Sequence, residues 1–277
     1  MSPPTLESKL DRLKAILSNL GSVLVAYSGG VDSSLLLKVA HMQLGIRAIG
    51  ITAVSPTFPA SELEDAQRIA AEIGARHKIV YTNQLEIPSF VTNDATRCFH
   101  CKSHLYQLLT TQQAPPHDAH IVDGTHVDDL GDDRPGIAAA RRWGVLSPLI
   151  DANLTKADIR SLARELGLSN WDKPAAACLA SRIPRGTPIT IEKLTRVERA
   201  EAVLRQEGFR HVRVRDHGEL ARIEVSPPDI PILVNPERRE KIVTAIKKTG
   251  FVFVTLDLEG YRAGGVSLSP SPALLSH

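Results

Sequence analysis

The sequence is poor in aromatic residues and in cysteine, and it carries almost no net charge. Phenylalanine, tryptophan and tyrosine make up 4% of the 277 residues, and the formal net charge is +2. A charge this small gives no global indication of nucleic-acid binding. The three cysteines are an odd number, which is typical of a reducing compartment and argues against a disulfide framework.

Long hydrophobic runs are also missing. No segment is apolar enough to span a membrane, and the first residues, MSPPTLESKLDRLKAIL, lack the apolar core of a secretory signal peptide. We therefore expect a cytoplasmic protein. The hydrophobic fraction of 43% is ordinary for a globular protein, and the length allows one large or two modest domains.

The most informative segment is residues 27–34, with the sequence YSGGVDSS. The apolar run before it predicts a strand, and the run after it predicts a helix. Two glycines let an anion approach the backbone, and the helix start directs free N–H groups into the same space. We therefore predict a nucleotide phosphate site. Its expected residues are Ala26, Ser28, Gly29, Gly30, Asp32, Ser33 and Ser34.

The lysine of a conventional P-loop is missing, since no Gly-Lys-Ser/Thr follows. Asp32 stands in the loop instead, where a carboxylate repels phosphate unless it caps the helix or helps to hold Mg²⁺. The SGG-x-DS pattern resembles the signature of the PP-loop ATP pyrophosphatases. That resemblance implies that ATP is cleaved between its α- and β-phosphates and that AMP passes to a substrate oxygen.

Strands and helices alternate through the first part of the chain, with strands expected at 46–54 and 77–81. This order predicts an α/β fold with a parallel sheet, a PP-loop (adenine nucleotide α-hydrolase-like) domain over residues 1–168. Ligands bind at the carboxyl ends of such strands. Thr52 and Ala53 are therefore candidates for the wall of an adenine site, although packing of the strand end on its own helix explains the pattern equally well.

The second part of the chain follows a different order: helix, two strands, helix and strand. It predicts a smaller α+β domain over residues 169–266, followed by a disordered tail over residues 267–277. Residues 170–190 are rich in proline, alanine and glycine and are expected to form a long functional loop.

The cysteines fall in two places: a C-x₂-C pair, Cys98 and Cys101, and Cys178 in the long loop. Three interpretations compete. All three cysteines hold a [4Fe–4S] cluster, with one iron left without a protein ligand. Alternatively, Cys98 and Cys101 bind Zn²⁺ with a histidine such as His100 or His104, or they form a dithiol while Cys178 acts alone as a nucleophile. A purely structural role is the remaining explanation.

Four segments resemble the LarE-type ATP-dependent sulfur transferases of nickel-pincer nucleotide cofactor biosynthesis. They are the SGG-x-DS loop, the Asp-Gly-Thr…Asp-Asp…Arg-Pro-Gly region at 123–136, the Cys-Leu-x-Ser-Arg-Ile-Pro-x-Gly-Thr-Pro-Ile-Thr run from Cys178, and Val-Arg-Val-Arg at 212–215. The resemblance implies adenylation of a pyridinium dicarboxylate mononucleotide and its conversion to a thiocarboxylate. It also implies ATP, Mg²⁺, a sulfur donor and a homo-oligomer.

That family has two branches. In one, a single cysteine gives up its sulfur and becomes dehydroalanine, and Cys178 matches the position of that cysteine. In the other, three cysteines hold a [4Fe–4S] cluster that carries an extra sulfide. Cys98 and Cys101 depart from the first branch and favour the second.

The resemblance also implies further site residues. Arg213 and Arg215 alternate on one strand and are expected to bind the substrate phosphate, while Arg182 and Arg185 flank Cys178 and are placed to steer an anionic substrate. Other nucleotide-site candidates are Gly124, Asp128 and Arg134. Asp128 and Asp129 are candidates for binding Mg²⁺ in a loop that faces the nucleotide, and an exposed acidic loop is the alternative. Glu201 and Glu224 match acidic positions of the family's site, and Trp171 is a candidate for stacking on a pyridinium ring; from the pattern alone we expect both glutamates to be solvated.

Thiolation of tRNA is the alternative function, because some PP-loop enzymes with three cluster cysteines modify tRNA bases. Nine arginines lie between Arg182 and Arg222, which gives that alternative some support. The low aromatic content and the lack of an appended RNA-binding domain weigh against it. A non-catalytic nucleotide-binding module and an amide-forming synthetase are further possibilities, and the synthetase leaves the cysteines unexplained.

Overall fold

The computed structural model describes residues 4–111, 119–130, 135–174 and 177–261. These residues form two compact units. The first comprises the chain up to Phe90 and from Ala95 to residue 174, and the second comprises Val91–Asp94 and the chain from Ala177 onward. The boundary predicted between residues 168 and 169 lies slightly earlier in the chain and stays a prediction. The predicted tail lies outside the described residues.

A four-stranded parallel sheet forms the centre of the first unit, in the order β3-β2-β1-β4. Its strands are β1 (Val23–Ala26), β2 (Ala48–Val54), β3 (Arg76–Tyr81) and β4 (His120–Val122). The predicted α/β fold with a parallel sheet is therefore confirmed. The second strand begins at Ala48, later than predicted, because Gly45–Arg47 form a 3₁₀ turn.

Helices connect and cover these strands. They are α1 (Leu6–Leu20), α2 (Val31–Leu44), α3 (Ala60–Ile73), α4 (Pro88–Val91), α5 (Arg97–Thr111), α6 (Pro135–Arg142), α7 (Pro148–Asp151) and α8 (Lys156–Glu165). Leu35, Leu36 and Leu37 of α2 are all 0% exposed, so this helix is enclosed by apolar neighbours on several sides. Its first turn lies directly after β1, where a ligand is expected.

The second unit is a three-stranded mixed sheet in the order β5-β6-β7 with helices packed on it. Its elements are α9 (Ile191–Gln206), β5 (Val212–His217), β6 (Leu220–Val225), α10 (Ile230–Leu233), α11 (Pro236–Lys247) and β7 (Phe253–Leu256). Strands β5 and β6 are antiparallel, whereas β6 and β7 are parallel. The short helix α10 is an addition to the order of helices and strands that the sequence predicts.

Asn93 holds the loop that follows Cys178. It is buried with a φ of +59°, and its Nδ2 donates to the carbonyls of Ile183, Pro184 and Thr187 over 3.3, 2.8 and 3.0 Å. The predicted long loop also contains a 3₁₀ helix, Leu179–Arg182. Within the residues that the structure describes, none of the helices combines the length and the apolar character needed to cross a membrane.

Candidate active site

The loop between β1 and α2 leaves the start of α2 open to an anion. Gly30 is the N-cap of α2, and it has no side chain that could accept a hydrogen bond from the N–H groups of the first turn. Gly29 has a φ of +73°, a conformation that favours glycine. The Ser28 N–H donates to Ser33 Oγ over 3.2 Å, and Ser33 Oγ donates to the Gly30 carbonyl over 3.1 Å. Free N–H groups and hydroxyls of this kind bind phosphate.

Two other predicted nucleotide-site residues flank this loop. Ser34 is 0% exposed, and its Oγ accepts a hydrogen bond from Asn170 Nδ2 over 3.0 Å, so it supports the loop from the buried side. Ala26 is partly exposed at the end of β1. A direct contact of either residue with a nucleotide stays a prediction.

Asp32 is paired with a lysine that sequence reasoning missed. Lys156 Nζ donates to both carboxylate oxygens of Asp32, over 2.5 and 2.7 Å, and the Lys156 N–H donates to Asp128 Oδ2 over 2.6 Å. The ammonium group compensates the charge by which Asp32 repels phosphate. Lys156 is the first residue of α8, where a positive charge is unfavourable to the helix dipole, and this is the local signal that could have identified it.

Acidic side chains and one imidazole gather near Asp32. His126 Nε2 lies 3.5 Å from Asp129 Oδ2 and 3.9 Å from Asp32 Oδ1, and its Nδ1 lies 3.9 Å from Asp128 Oδ2. In the described part of the chain, no group of three or more His, Cys, Asp or Glu side chains is arranged to hold a metal ion. Binding of Mg²⁺ by Asp32, Asp128 or Asp129 therefore stays a prediction.

Gly124 packs against the first turn of α2. A Cβ on Gly124 would lie 2.9 Å from the Ser33 nitrogen, so only glycine fits there without a shift. The preceding Asp123 is 4% exposed and accepts hydrogen bonds from Tyr106 Oη and Ser147 Oγ over 2.9 and 2.8 Å. This network fixes the predicted nucleotide-site residue Gly124 beside the loop.

The side chain of Thr52, on β2, is buried. It is 0% exposed, and its Oγ1 donates to the Tyr27 carbonyl over 2.8 Å. Its second contact is His77 Nε2 at 2.8 Å, and burial lowers the pKa of His77. Because the single hydroxyl proton goes to Tyr27, neutral His77 donates from Nε2. The adenine wall predicted at Thr52 and Ala53 would therefore be formed by something other than the threonine hydroxyl.

Cys98 and Cys101 lie near the start of α5, and Cys98 is the second residue of the helix. Residues three apart share a helix face. None of the three cysteines forms a disulfide; Cys98 is exposed, and Cys101 and Cys178 are partly exposed. His104, a candidate zinc ligand, bonds to Thr82 Oγ1 over 2.6 Å, and the zinc interpretation gains no support among the described residues.

In the second unit, a buried ion pair holds the backbone at Cys178. Arg182 binds Glu201 through two hydrogen bonds of 2.8 and 3.0 Å, and its Nη1 donates to the carbonyls of Ala177 and Cys178 over 2.6 and 2.9 Å. Burial acts to raise the pKa of Glu201, but Arg182, with Arg205 and Arg213, outweighs it and lowers that pKa. The expectation that Glu201 is solvated is wrong, since it is 0% exposed.

A second buried pair, Arg215 and Glu224, lies on neighbouring strands. Its two hydrogen bonds are 2.8 Å each, and Arg215 Nη1 donates to the Ser181 carbonyl over 2.9 Å. Glu224 is 4% exposed, so the expectation of a solvated side chain is again wrong. Arg222 Nη2 also donates to Glu224, over 3.1 Å, and the Arg213 guanidinium lies 5.1 Å from the centre of the Tyr261 ring. The carboxylates of Glu201 and Glu224 are thus each surrounded by arginine guanidinium groups.

The remaining candidates differ in their surroundings. Arg185 is exposed. Trp171 is 38% exposed, and its ring faces the Arg164 guanidinium at 5.6 Å; its stacking on a pyridinium ring stays a prediction. Arg134 lies outside the described residues. The predicted roles of Arg182, Arg185, Arg213 and Arg215 in substrate binding remain predictions.

Comparison with known proteins agrees with this arrangement. The asparagine synthase family matches residues 14–99, which include the phosphate loop. The chain is 46% identical to an uncharacterized protein of Synechocystis, over 94% of this chain and 97% of that protein. It is 36% identical to pyridinium-3,5-bisthiocarboxylic acid mononucleotide synthase of Lactiplantibacillus plantarum, over 98% of both chains. An uncharacterized protein of Methanocaldococcus jannaschii is 32% identical over 87% of this chain and 91% of its own.

The match to the Lactiplantibacillus protein covers 98% of this chain and therefore spans both units. We conclude that the chain belongs to the LarE family of PP-loop sulfurtransferases, which includes pyridinium-3,5-bisthiocarboxylic acid mononucleotide synthase.

Proposed function

We propose that this protein is an ATP-dependent sulfurtransferase that converts pyridinium-3,5-biscarboxylic acid mononucleotide to the thiocarboxylate in the cytoplasm. The observation that carries the proposal is the 36% identity, over 98% of both chains, with a synthase named for that product. The open start of α2 and the cation beside Asp32 support ATP as the co-substrate.

Adenylation makes the carboxylate reactive. A carboxylate oxygen attacks the α-phosphorus of ATP, the bond to the bridging oxygen breaks, and pyrophosphate leaves. The N–H groups at the start of α2 and the Lys156 ammonium would stabilise charge on the departing pyrophosphate, with Mg²⁺ on Asp32 or Asp128. A sulfur nucleophile then attacks the acyl carbon, a C–S bond forms, and the C–O bond to AMP breaks.

The arginine residues of the second unit support an anionic substrate. Arg185 is exposed, and Arg213 lies beside the buried Arg182–Glu201 pair, whose carboxylate is already matched by Arg205. Guanidinium groups bind phosphate and carboxylate in a bidentate manner. We assign Arg213 and Arg215 to the substrate phosphate. Glu224 would hold Arg215, and Glu201 would hold Arg182 and, through it, the backbone near Cys178.

Cys98, Cys101 and Cys178 would hold a [4Fe–4S] cluster. They fit the group in donor type, because all three are reduced and at least partly exposed, and the first two lie on one helix face. When bound, the cluster would supply an iron without a protein ligand, able to carry a replaceable sulfide. The alternative is loss of the Cys178 sulfur itself, by cleavage of Cβ–Sγ with removal of the Cα proton to give dehydroalanine.

The test is anaerobic turnover with ATP and the biscarboxylate nucleotide, after incubation with iron and sulfide. We expect pyrophosphate release and a product in which sulfur replaces carboxylate oxygen. The Cys98→Ala variant should release pyrophosphate but form no thiocarboxylate, and it should lack the visible absorbance of the cluster.

Three outcomes separate the alternatives. A Cys98→Ala variant that is active for a single turnover, in which Cys178 loses the elements of H₂S and becomes dehydroalanine, would favour the sacrificial mechanism. Transfer of sulfur to tRNA but not to the nucleotide would contradict the proposed substrate, and absence of pyrophosphate release would contradict catalysis. We further propose that the sulfur comes from an external donor. We also propose a homo-oligomer, which light scattering of the purified protein would test.

A further inference from the structure

We propose that Asn170 is a positioning residue that fixes the Gly29–Gly30 peptide of the phosphate loop in its anion-binding orientation. The inference rests on the proposed function, because it takes the loop to bind the phosphates of ATP. Asn170 lies on the segment after α8, is 3% exposed and had no role in the sequence-based predictions.

The amide of Asn170 contacts the loop at two points. Its Nδ2 donates to the Gly29 carbonyl and to Ser34 Oγ, each over 3.0 Å. A carbonyl oxygen only accepts hydrogen bonds, so the group that faces it is the NH₂ of the amide. This contact determines both the orientation of the amide and the direction of the Gly29 carbonyl.

The C=O and N–H of a trans peptide point to opposite sides. Because Asn170 holds the Gly29 carbonyl on one side, the Gly30 N–H is directed to the other, where it reaches Ser28 Oγ over 3.4 Å. That side also carries the Ser33 hydroxyl, 3.3 Å from Ser28 Oγ. A contact of 3.4 Å is a weak hydrogen bond, so a phosphate oxygen can take the place of the serine hydroxyl.

Without Asn170, little would hold this peptide. Gly29 populates both positive and negative φ at low cost, so the Gly29–Gly30 peptide can rotate. A larger residue cannot supply the constraint, because a Cβ on Gly29 would lie 2.8 Å from the Ala66 Cα of α3. Rotation would turn the Gly29 carbonyl toward the anion and remove one N–H donor.

Stability alone does not explain an asparagine at position 170. Its Oδ1 is buried and has no hydrogen-bond partner among the described residues, which costs free energy. The neighbouring residues anchor the segment independently: the Ser169 N–H donates to Glu72 over 3.0 Å, and Lys173 Nζ donates to Asp65 over 2.7 Å. The segment therefore stays attached to α3 when Asn170 is replaced.

The test is calorimetric binding of the non-hydrolysable analogue α,β-methylene-ATP to the full chain. Asn170→Asp places an acceptor against the Gly29 carbonyl, and Asn170→Ala removes the donor. We expect each variant to bind the analogue at least about 10-fold more weakly, because the Gly30 N–H would no longer donate a hydrogen bond to the charged phosphate. In turnover, the KM for ATP should rise while the KM for the nucleotide substrate stays unchanged.

Ser169→Ala is the matched control. Ser169 lies next to Asn170 on the same segment, and its hydroxyl donates to Glu72 of α3 over 2.7 Å, away from the phosphate loop. The affinity of this variant for the analogue should stay within about 2-fold of the wild type. The proposal is overturned if both Asn170 variants bind like the wild type, or if Ser169→Ala loses as much. A wild-type protein that does not bind the analogue would contradict the proposed function instead.

Discussion

Glu201 shows how one carboxylate can organise a loop far from it in sequence. It accepts hydrogen bonds from Arg182, from Arg205 and from the Val214 N–H. Removing one partner of a buried pair leaves the other charge unpaired, which is usually more costly than the pair is stabilising. Because Arg182 also binds the Cys178 carbonyl, the same change loosens the backbone that carries the sulfur.

We expect Glu201→Gln to lower the free energy of unfolding by about 3 kcal/mol at pH 7. The pKa of Glu201 is lowered below its usual 4.5, so the folded state favours the charged form. Its stabilisation is present above pH 4.5 and is lost as pH falls through the lower folded pKa. The difference between wild type and variant should therefore be constant near neutrality and shrink in acid.

Urea denaturation followed by circular dichroism, repeated across the pH range, measures this difference. Glu192→Gln, on the exposed first turn of the same helix, is the control and should cause a far smaller loss. Equal stability of Glu201→Gln and wild type at neutral pH would contradict the assignment of Glu201 as the anchor of Arg182.

At the scale of the element, α8 carries the residue that completes the phosphate loop. Thr155 caps the helix by accepting from the Asp158 N–H over 3.2 Å, and Asp158 in turn accepts from the Thr155 N–H over 2.9 Å. This reciprocal cap fixes the first turn and with it Lys156. The position of Lys156 beside Asp32 thus depends on the first turn of α8, which lies far from Asp32 in the sequence.

Thr155→Ala should cost about 1 kcal/mol of stability, the usual value of an N-cap side chain. Thermal or urea unfolding measures the loss, and Ser161→Ala, inside the same helix, should change stability by less than about 0.5 kcal/mol. If the two variants lose the same amount, the capping interaction does not stabilise the first unit as described.

Local patterns in the sequence were sufficient to predict β1 and the start of α2, because the apolar runs and glycines that indicate them lie within a few residues of each other. They did not predict the Lys156–Asp32 pair, whose members are 124 residues apart. The burial of Glu201 did have a signal. Leu194, Val197, Glu201 and Leu204 recur at helical spacing, and all four are at most 1% exposed.

At the scale of the whole molecule, unfolding of the first unit can be followed separately by spectroscopy. Both tryptophans, Trp143 and Trp171, belong to the first unit, which also contains the phosphate loop. Tryptophan fluorescence therefore follows the unit that is proposed to bind ATP, whereas circular dichroism follows the helices and strands of both. A ligand stabilises the folded state that binds it in proportion to the logarithm of its concentration over Kd.

We expect α,β-methylene-ATP at about 100 times its Kd to raise the unfolding free energy reported by tryptophan fluorescence by about 2.7 kcal/mol. Lys156→Met should reduce this shift, because the ammonium group beside Asp32 is lost from the phosphate site. Glu201→Gln should keep the full shift, since Glu201 belongs to the second unit. An unchanged fluorescence midpoint at saturating analogue would contradict ATP binding by the first unit, and loss of the shift in Glu201→Gln would show that the second unit contributes to it.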